Sequence, residues 1–280
     1  MPRRLAIVMH GQPNFHAVVT VLHVVFRKLP ASCAVVSDGL QCIRTPLLIE
    51  RRSMRNSSRT WLRRENIAFA EGVPAGSRVL DAGAGDQPYR KHFSHCEYEA
   101  ADFEKVDRSY AKSTYVCDLS SIPVSDARFD AVVFNQVMEH LPEPLSVLHE
   151  LNRVLKPGGR MICTAPLFFE EHEVPFDFYR YTQFAWRHLL GKAGFEVESL
   201  NWMEGYLSTV AYQLQTAARY LPSNPRDVAP GLLGWVCAPV LLGCRVAFHI
   251  LARLFHVLDE RERFTKRGYP KNYVVVVRKL

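Results

Sequence analysis

The sequence predicts an α/β fold, doubly wound around a mostly parallel sheet, with a helical insertion before the last strand. Three observations predict it. From about residue 77, short apolar, β-branched runs alternate with helix-like segments, the pattern of crossover units in a parallel sheet covered on both faces. Successive strand candidates end on polar residues, Asp81, Asp102, Asp118 and Asn135. Between 203 and 270 the alternation stops, and a mostly helical stretch separates the sixth strand from "NYVVVVRK".

The elements follow in order. Residues 1–60 carry nine of the 35 Lys/Arg and only two of the 28 Asp/Glu, so the net charge of +7 belongs to this basic segment and residues 61–280 balance. Its first 30 residues superficially suit a targeting segment. "HGQPN" (10–14) breaks their apolar run, which favours an extension or a short packed element. Seven strands are expected at 78–81, 97–102, 114–118, 129–135, 160–165, 195–200 and 272–279, each a short run between turn residues. A helix is expected over 144–156. Pro144 suits its first turn, Leu145, Leu148, Leu151, Val154 and Leu155 form its stripe, Lys156 suits its negative end, and "PGG" (157–159) stops it. A second helix, 182–193, ends at Gly194.

Composition excludes several classes. At 48% hydrophobic and 22% charged, the chain is neither disordered nor fibrous. A pI set by one segment gives no reason to expect a nucleic-acid partner. Seven scattered cysteines without a CxxC pair point to a reducing compartment and no metal framework. His92, His95 and Cys96 cluster, but a zinc site needs further ligands at regular spacing, so no metal is expected.

The chemistry lies at the strand ends. Open parallel sheets bind ligands beyond the carboxyl ends of their strands, near the point where strand order reverses. Asp81, Asp102, Asp118 and Asn135 would therefore converge on one crevice. Gly83 and Gly85 follow the first strand and let a ligand approach the backbone. A dinucleotide fingerprint would put a third glycine at 88, where Pro88 stands, and the lysine and hydroxyl of a phosphate loop are missing. A ligand with an ammonium group, a ribose and an adenine fits better. Asp81 would accept from a cationic or hydroxyl-bearing group, directly or through water, Asp102 from ribose hydroxyls and Asp118 from an adenine amine.

With these residues in place, "VLDAGAGDQPY", "DLSSIPVSDARFDAVVFNQVMEHLPEPLSVLHELNRVLKPGGRMICTAP" and the closing "NYVVVVRK" resemble the class I S-adenosylmethionine-dependent methyltransferases, in particular their small-molecule subgroup. The resemblance covers about 57–202 and 272–279. It implies a Rossmann-like seven-stranded sheet with an antiparallel last strand, and S-adenosyl-L-methionine as cofactor. It also implies that Asp81, Gly83 and Gly85 cradle the methionine end, that Asp102 binds the ribose, that Asp118 contacts the adenine, and that Asn135 and Gln136 lie beside the cofactor. Asp86 departs from the pattern, standing where many members have a glycine or small residue. The expected organisation is a basic N-terminal extension (1–56), a cofactor-binding domain (57–202 with 271–280) and a helical insertion (203–270).

Methyl transfer mainly requires alignment and exclusion of water, and an oxygen or nitrogen acceptor also needs a base. His172 is the favoured base, with His140 second and Glu139 a further candidate. Tyr179, Arg180 and Tyr181, in the polar aromatic stretch "EEHEVPFDFYRYT" (170–182), are candidates for binding the acceptor. In the insertion, "VAPGLLGWVCAPVLLGC" (228–244) is uncharged but short for a bilayer and interrupted by Pro230 and Pro239. The next stretch, 245–260, places Arg245, His249 and Arg253 on one helical face. Two readings stay open: a helical cover with its arginines facing water, and a membrane contact through 228–258. The expected protein is cytoplasmic, or membrane-associated through that contact, and acts on a small or lipid-like acceptor. The competing readings are a non-catalytic cofactor-binding scaffold and a nicotinamide-dependent oxidoreductase, the latter disfavoured by Pro88.

Overall fold

The computed structural model describes residues 57–105 and 110–280. The basic extension expected at 1–56 lies outside the described residues. Seven strands form one sheet: β1 (Arg78–Ala82), β2 (Glu97–Asp102), β3 (Tyr115–Val116), β4 (Phe129–Asn135), β5 (Leu155–Pro166), β6 (Phe195–Trp202) and β7 (Asn272–Lys279). Their spatial order is β3-β2-β1-β4-β5-β7-β6. Strands β1 to β5 pair in parallel, while β7 lies antiparallel between β5 and β6. This is the predicted doubly wound, mostly parallel sheet. Strand order reverses between β1 and β4, so a crevice opens beyond their carboxyl ends.

Among the described residues six α-helices accompany the sheet: α1 (Ser57–Glu71), α2 (Pro144–Val154), α3 (Gln183–Lys192), α4 (Tyr206–Tyr220), α5 (Pro225–Val228) and α6 (Leu232–Arg261). Side chains alternate across each strand, so neighbouring apolar residues serve opposite faces. Leu80, Val132 and Phe134 pack on one face with Leu148 and Leu151 of α2 and Trp186 of α3. Val79, Val133 and Ile162 pack on the other with Leu62 and Phe69 of α1. Both faces are thus covered, which is why these strands read as unbroken apolar runs.

Three boundaries depart from the sequence reading. Helix α2 ends at Val154, not 156, because the residue before a proline is steered away from helical backbone. Leu155 opens β5 opposite Phe129, and Lys156 pairs its Nζ with Asp130 at 2.6 Å instead of capping the helix. Strand β3 keeps only two of its five expected residues, since it is an edge strand with a single neighbour. The third difference lies in α6, which runs unbroken for 30 residues through Pro239. The carbonyl of Trp235 loses its helical donor there, but Trp235 is exposed, so the loss falls at the surface.

Helices α4 to α6 occupy the segment between β6 and β7. Asp259, near the end of α6, is buried and accepts from the backbone N–H groups of Gly205 (2.8 Å) and Phe264 (3.3 Å). It therefore caps the start of α4 and pins α6 across it. Arg245 donates to the Leu221 carbonyl and to Ser223 Oγ (3.0 Å), so it serves the α4–α5 turn rather than facing water.

Candidate active site

The loop after β1 is shaped by its glycines. Gly83 has φ +75°, and a Cβ there would fall 2.4 Å from Val137 Cγ2. No other residue fits that turn without displacing Val137. Gly85 has φ +51° and donates its N–H to Asp102 Oδ2 at 2.9 Å. The Glu104 N–H donates to Asp102 Oδ1 at 3.0 Å. Asp102, at the end of β2, thus braces the glycine loop while its carboxylate borders the crevice.

Two adjoining cavities fill that crevice, of about 520 Å³ and about 180 Å³. The larger reaches Asp102, Asp118, Phe103 and Phe176. The smaller reaches Asp81, Gly85, Asp86, Asn135 and His172. Gly83, Gln136, His140 and Glu173 border both. The strand ends named from sequence therefore meet at one place, with Asp81 and Asp102 on adjacent strands. Asp118 lies in the loop beyond β3, where Ser120 donates to its Oδ1 through N–H (2.9 Å) and hydroxyl (2.8 Å). Those bonds hold its carboxyl below its ordinary range.

Asp81 is buried, and the Tyr98 hydroxyl donates to its Oδ2. Burial raises its carboxyl to about 7, assisted by the negative charges of Asp102 and Asp86, while the Tyr98 bond works the other way. An acid in that condition gains by meeting a cation. Asn135 is occupied structurally: it donates to Asn66 Oδ1 (2.8 Å) and accepts from Thr164 Oγ1 (3.0 Å). Gln136, at φ +55°, donates its side chain to Thr164 Oγ1 at 3.2 Å.

His140 and His172 come together, their ring centroids 4.7 Å apart in an edge-to-face arrangement. His140 Nδ1 sits 2.5 Å from the Phe176 carbonyl, and His172 Nδ1 sits 3.2 Å from the Glu170 carbonyl and 3.3 Å from Asp177 Oδ2. Those partners only accept, so each Nδ1 donates to them and each Nε2 is left for a further partner, which for His140 lies 3.8 Å from both Glu139 Oε1 and Glu173 Oε2. Beneath them Glu139 is fully buried, and neither of its carboxylate oxygens has a hydrogen-bond partner. Burial raises its carboxyl to about 8.

The three residues assigned to the acceptor do not border either cavity. Tyr181 is buried, donates to the Met138 carbonyl (3.0 Å) and packs on Trp186. Tyr179 donates to the Pro142 carbonyl at 3.2 Å. Arg180 clamps Asp177 with two bonds (2.7 and 2.8 Å) and so holds the Asp177 carboxyl down to about 2. An aromatic-rich polar stretch can be framework as easily as surface, and only packing tells which. Tyr98 and Asn66 were not legible as site residues. Tyr98 reaches Asp81 across β1 and β2, and periodicity along the chain does not report such pairs.

The donor set suits S-adenosylmethionine. Asp81, Asp102 and Asp118 only accept when ionised, and an ammonium, ribose hydroxyls and an adenine amine only need to donate. A Cβ-free turn at Gly83 leaves backbone open beside them.

Comparison with known proteins bears on this fit. The ubiquinone/menaquinone biosynthesis C-methyltransferase of Desulfotalea psychrophila is 33% identical over 112 residues, 36% of this chain and 46% of that protein. The demethylmenaquinone methyltransferase of Staphylococcus saprophyticus is 29% identical over 140 residues, 43% of this chain and 59% of that protein. The chain thus spans about half the length of the curated relatives it matches. The solved phosphoethanolamine N-methyltransferase 2 of Haemonchus contortus, in complex with S-adenosyl-L-methionine, is 15% identical with a TM-score of 0.46, covering 77% of this chain and 52% of that one. The family described as "Methyltransferase domain" matches residues 53–200, more than half of this chain. The chain belongs to that family, the class I S-adenosylmethionine-dependent methyltransferases, whose cofactor is S-adenosyl-L-methionine.

Proposed function

We propose that this protein transfers a methyl group from S-adenosyl-L-methionine to a small or lipid-like acceptor. The observation that carries the reading is the meeting of Asp81, Asp102 and Asp118 on two joined cavities with Gly83 between them. When bound, the cofactor supplies an electrophilic methyl group on a sulfonium. Asp81 neutralises the ammonium, Asp102 holds the ribose hydroxyls and Asp118 takes the adenine amine. Phe103 and Phe176, in edge contact at 5.8 Å, wall the larger cavity and exclude water from it. His140 and His172 border the smaller cavity and address the acceptor's donor atom, with Glu139 buried beneath them.

An apolar acceptor is supported by α6, which is long and apolar enough to cross a membrane by length and composition, with only 6% of its most apolar 18-residue window buried. Relatives named for menaquinone and ubiquinone methylation lean the same way. In this reading α6 rests on a membrane, and the protein is cytoplasmic and peripheral to it.

Calorimetric titration with S-adenosylhomocysteine tests the cofactor site. Wild type should bind, and Asp102→Ala should weaken binding by about 1–3 kcal/mol. Equal affinity in both proteins would remove the ribose assignment. Transfer of labelled methyl to an extracted metabolite tests turnover. Flotation of the full chain with anionic vesicles tests membrane contact, and recovery wholly in the soluble fraction counts against it.

A further inference from the structure

Glu139, His140 and His172 present ligand atoms that all lie within 4.8 Å of one another. We propose that these three residues form a binding site for a divalent first-row transition cation, placed to hold an oxygen of the acceptor.

Three observations carry it. The first is the orphaned carboxylate. Glu139 is 0% exposed, neither oxygen has a hydrogen-bond partner, and Oε1 lies 3.8 Å from His140 Nε2. A carboxyl left so, deep in a protein, is costly without a partner. The neighbouring Arg180 acts on Glu139 through its charge alone, because it spends two bonds on Asp177.

The second is the orientation of the imidazoles. Metal-binding histidines donate their other ring N–H to a carbonyl or carboxylate, which fixes the tautomer and aims the lone pair. Both histidines do this, His140 toward the Phe176 carbonyl and His172 toward the Glu170 carbonyl and Asp177. Asp177 is itself held by Arg180, and the His172 N–H donates to it at 2.9 Å. The two Nε2 atoms and the Glu139 carboxyl then converge as a set of ligand atoms. That set suits zinc, manganese or iron more than magnesium or calcium, which prefer oxygen throughout.

The third is position. His140 and His172 border the smaller cavity beside Asp81, and His140 borders the larger one as well. Two imidazoles and one carboxylate leave coordination positions open. Those positions face the place where an acceptor meets the cofactor. Bonds of about 2.0–2.2 Å would draw the three residues closer than they now stand. His172 sits in the loop between β5 and α3, outside both. The role in holding the acceptor rests on the methyl-transfer reading, whereas the site itself does not.

The experiment uses the full chain, stripped with chelator and dialysed against zinc sulfate or manganese chloride, with bound metal measured by mass spectrometry. Wild type should retain about one equivalent of at least one of the two. His172→Asn and Glu139→Gln should each weaken retention at least tenfold, while His249→Asn on α6 should match wild type. If Glu139→Gln fails to fold, His172→Asn decides, because its side chain lies in a surface loop. No metal retained by wild type, or equal retention by His172→Asn, overturns the proposal. Titration of the same wild-type samples with S-adenosylhomocysteine separates the two readings. Cofactor product bound without metal removes the cation site alone, whereas no binding of the product removes the methyl-transfer reading.

Discussion

Strand β7 and helix α6 are written in much the same letters and meet opposite fates. In "YVVVV" (273–277), four of five side chains are buried, covered by β5 and β6 on its edges and by packed helices on its faces. In α6, only Gly234, Ala252 and Asp259 are buried among 30 residues, and Leu233, Trp235, Val240, Leu242 and Ile250 are all at least 60% exposed. An apolar run therefore declares that it needs cover and does not declare who provides it. The sheet finds its cover within the described residues, whereas α6 offers an open apolar face of the kind that marks an interaction site.

Truncation sharpens this contrast most. Leu148→Ala, at a fully buried position against the sheet, should cost about 2–5 kcal/mol in urea melts. Leu242→Ala, on α6 and 60% exposed, should cost under about 0.5 kcal/mol. Comparable losses at both sites would mean that α6 is covered in solution by the chain itself.

The link between the two regions comes next. Asp259→Ala strands the N–H groups of Gly205 and Phe264 and should cost about 1–3 kcal/mol. Hydrogen exchange should accelerate across 203–270 while sheet amides stay protected. Uniform acceleration would show that insertion and sheet unfold as one unit.

A third effect belongs to the sheet region alone. Asp81 titrates at about 7 in the folded, ligand-free protein against an ordinary 3.8. Between those values the native state holds a proton that the unfolded chain has lost, so stability falls as pH rises, by up to about 1.4 kcal/mol per unit. The loss is complete above the folded value. Asp81→Asn should flatten that slope. Binding of S-adenosylhomocysteine, whose ammonium meets the ionised acid, should strengthen as pH rises to about 7 and then level off. A stability slope unchanged in Asp81→Asn would reassign the effect to another group.

The smallest expected effect on stability is the most telling for α6. Trp235→Gln with Val236→Gln changes two exposed residues and should shift stability by about 0.5 kcal/mol or less per site. The same pair should abolish flotation with anionic vesicles. Retained flotation would place any membrane contact elsewhere.

How much was legible follows from what a one-dimensional pattern can carry. Val79, Leu80, Val132 and Val133 announce strands because each faces a covered side, and an apolar run records that directly. Asp81, Asp102, Asp118 and Asn135 could be aligned because parallel strands all deliver their carboxyl ends to one edge. Pairings across strands left no such trace. Tyr98 bonding to Asp81 and Asn66 bonding to Asn135 join residues whose spacing has no period. Tyr181 looked like a ligand-facing phenol and is a core residue, since its environment is set by Trp186 and Met138. Helix α6 crosses Pro239 because its packing on α4 and its buried Asp259 outweigh one lost hydrogen bond.

Taken alone, the order of residues determined the sheet, the polar strand ends and the glycine turn, because backbone geometry and burial periodicity act over a few neighbours. Tertiary structure alone decided which charges are shielded and which carboxylates are stranded. It also decided which apolar face is left uncovered. Those outcomes depend on what distant segments bring within a few ångströms, where desolvation and the nearest opposite charge settle the energy of every polar group.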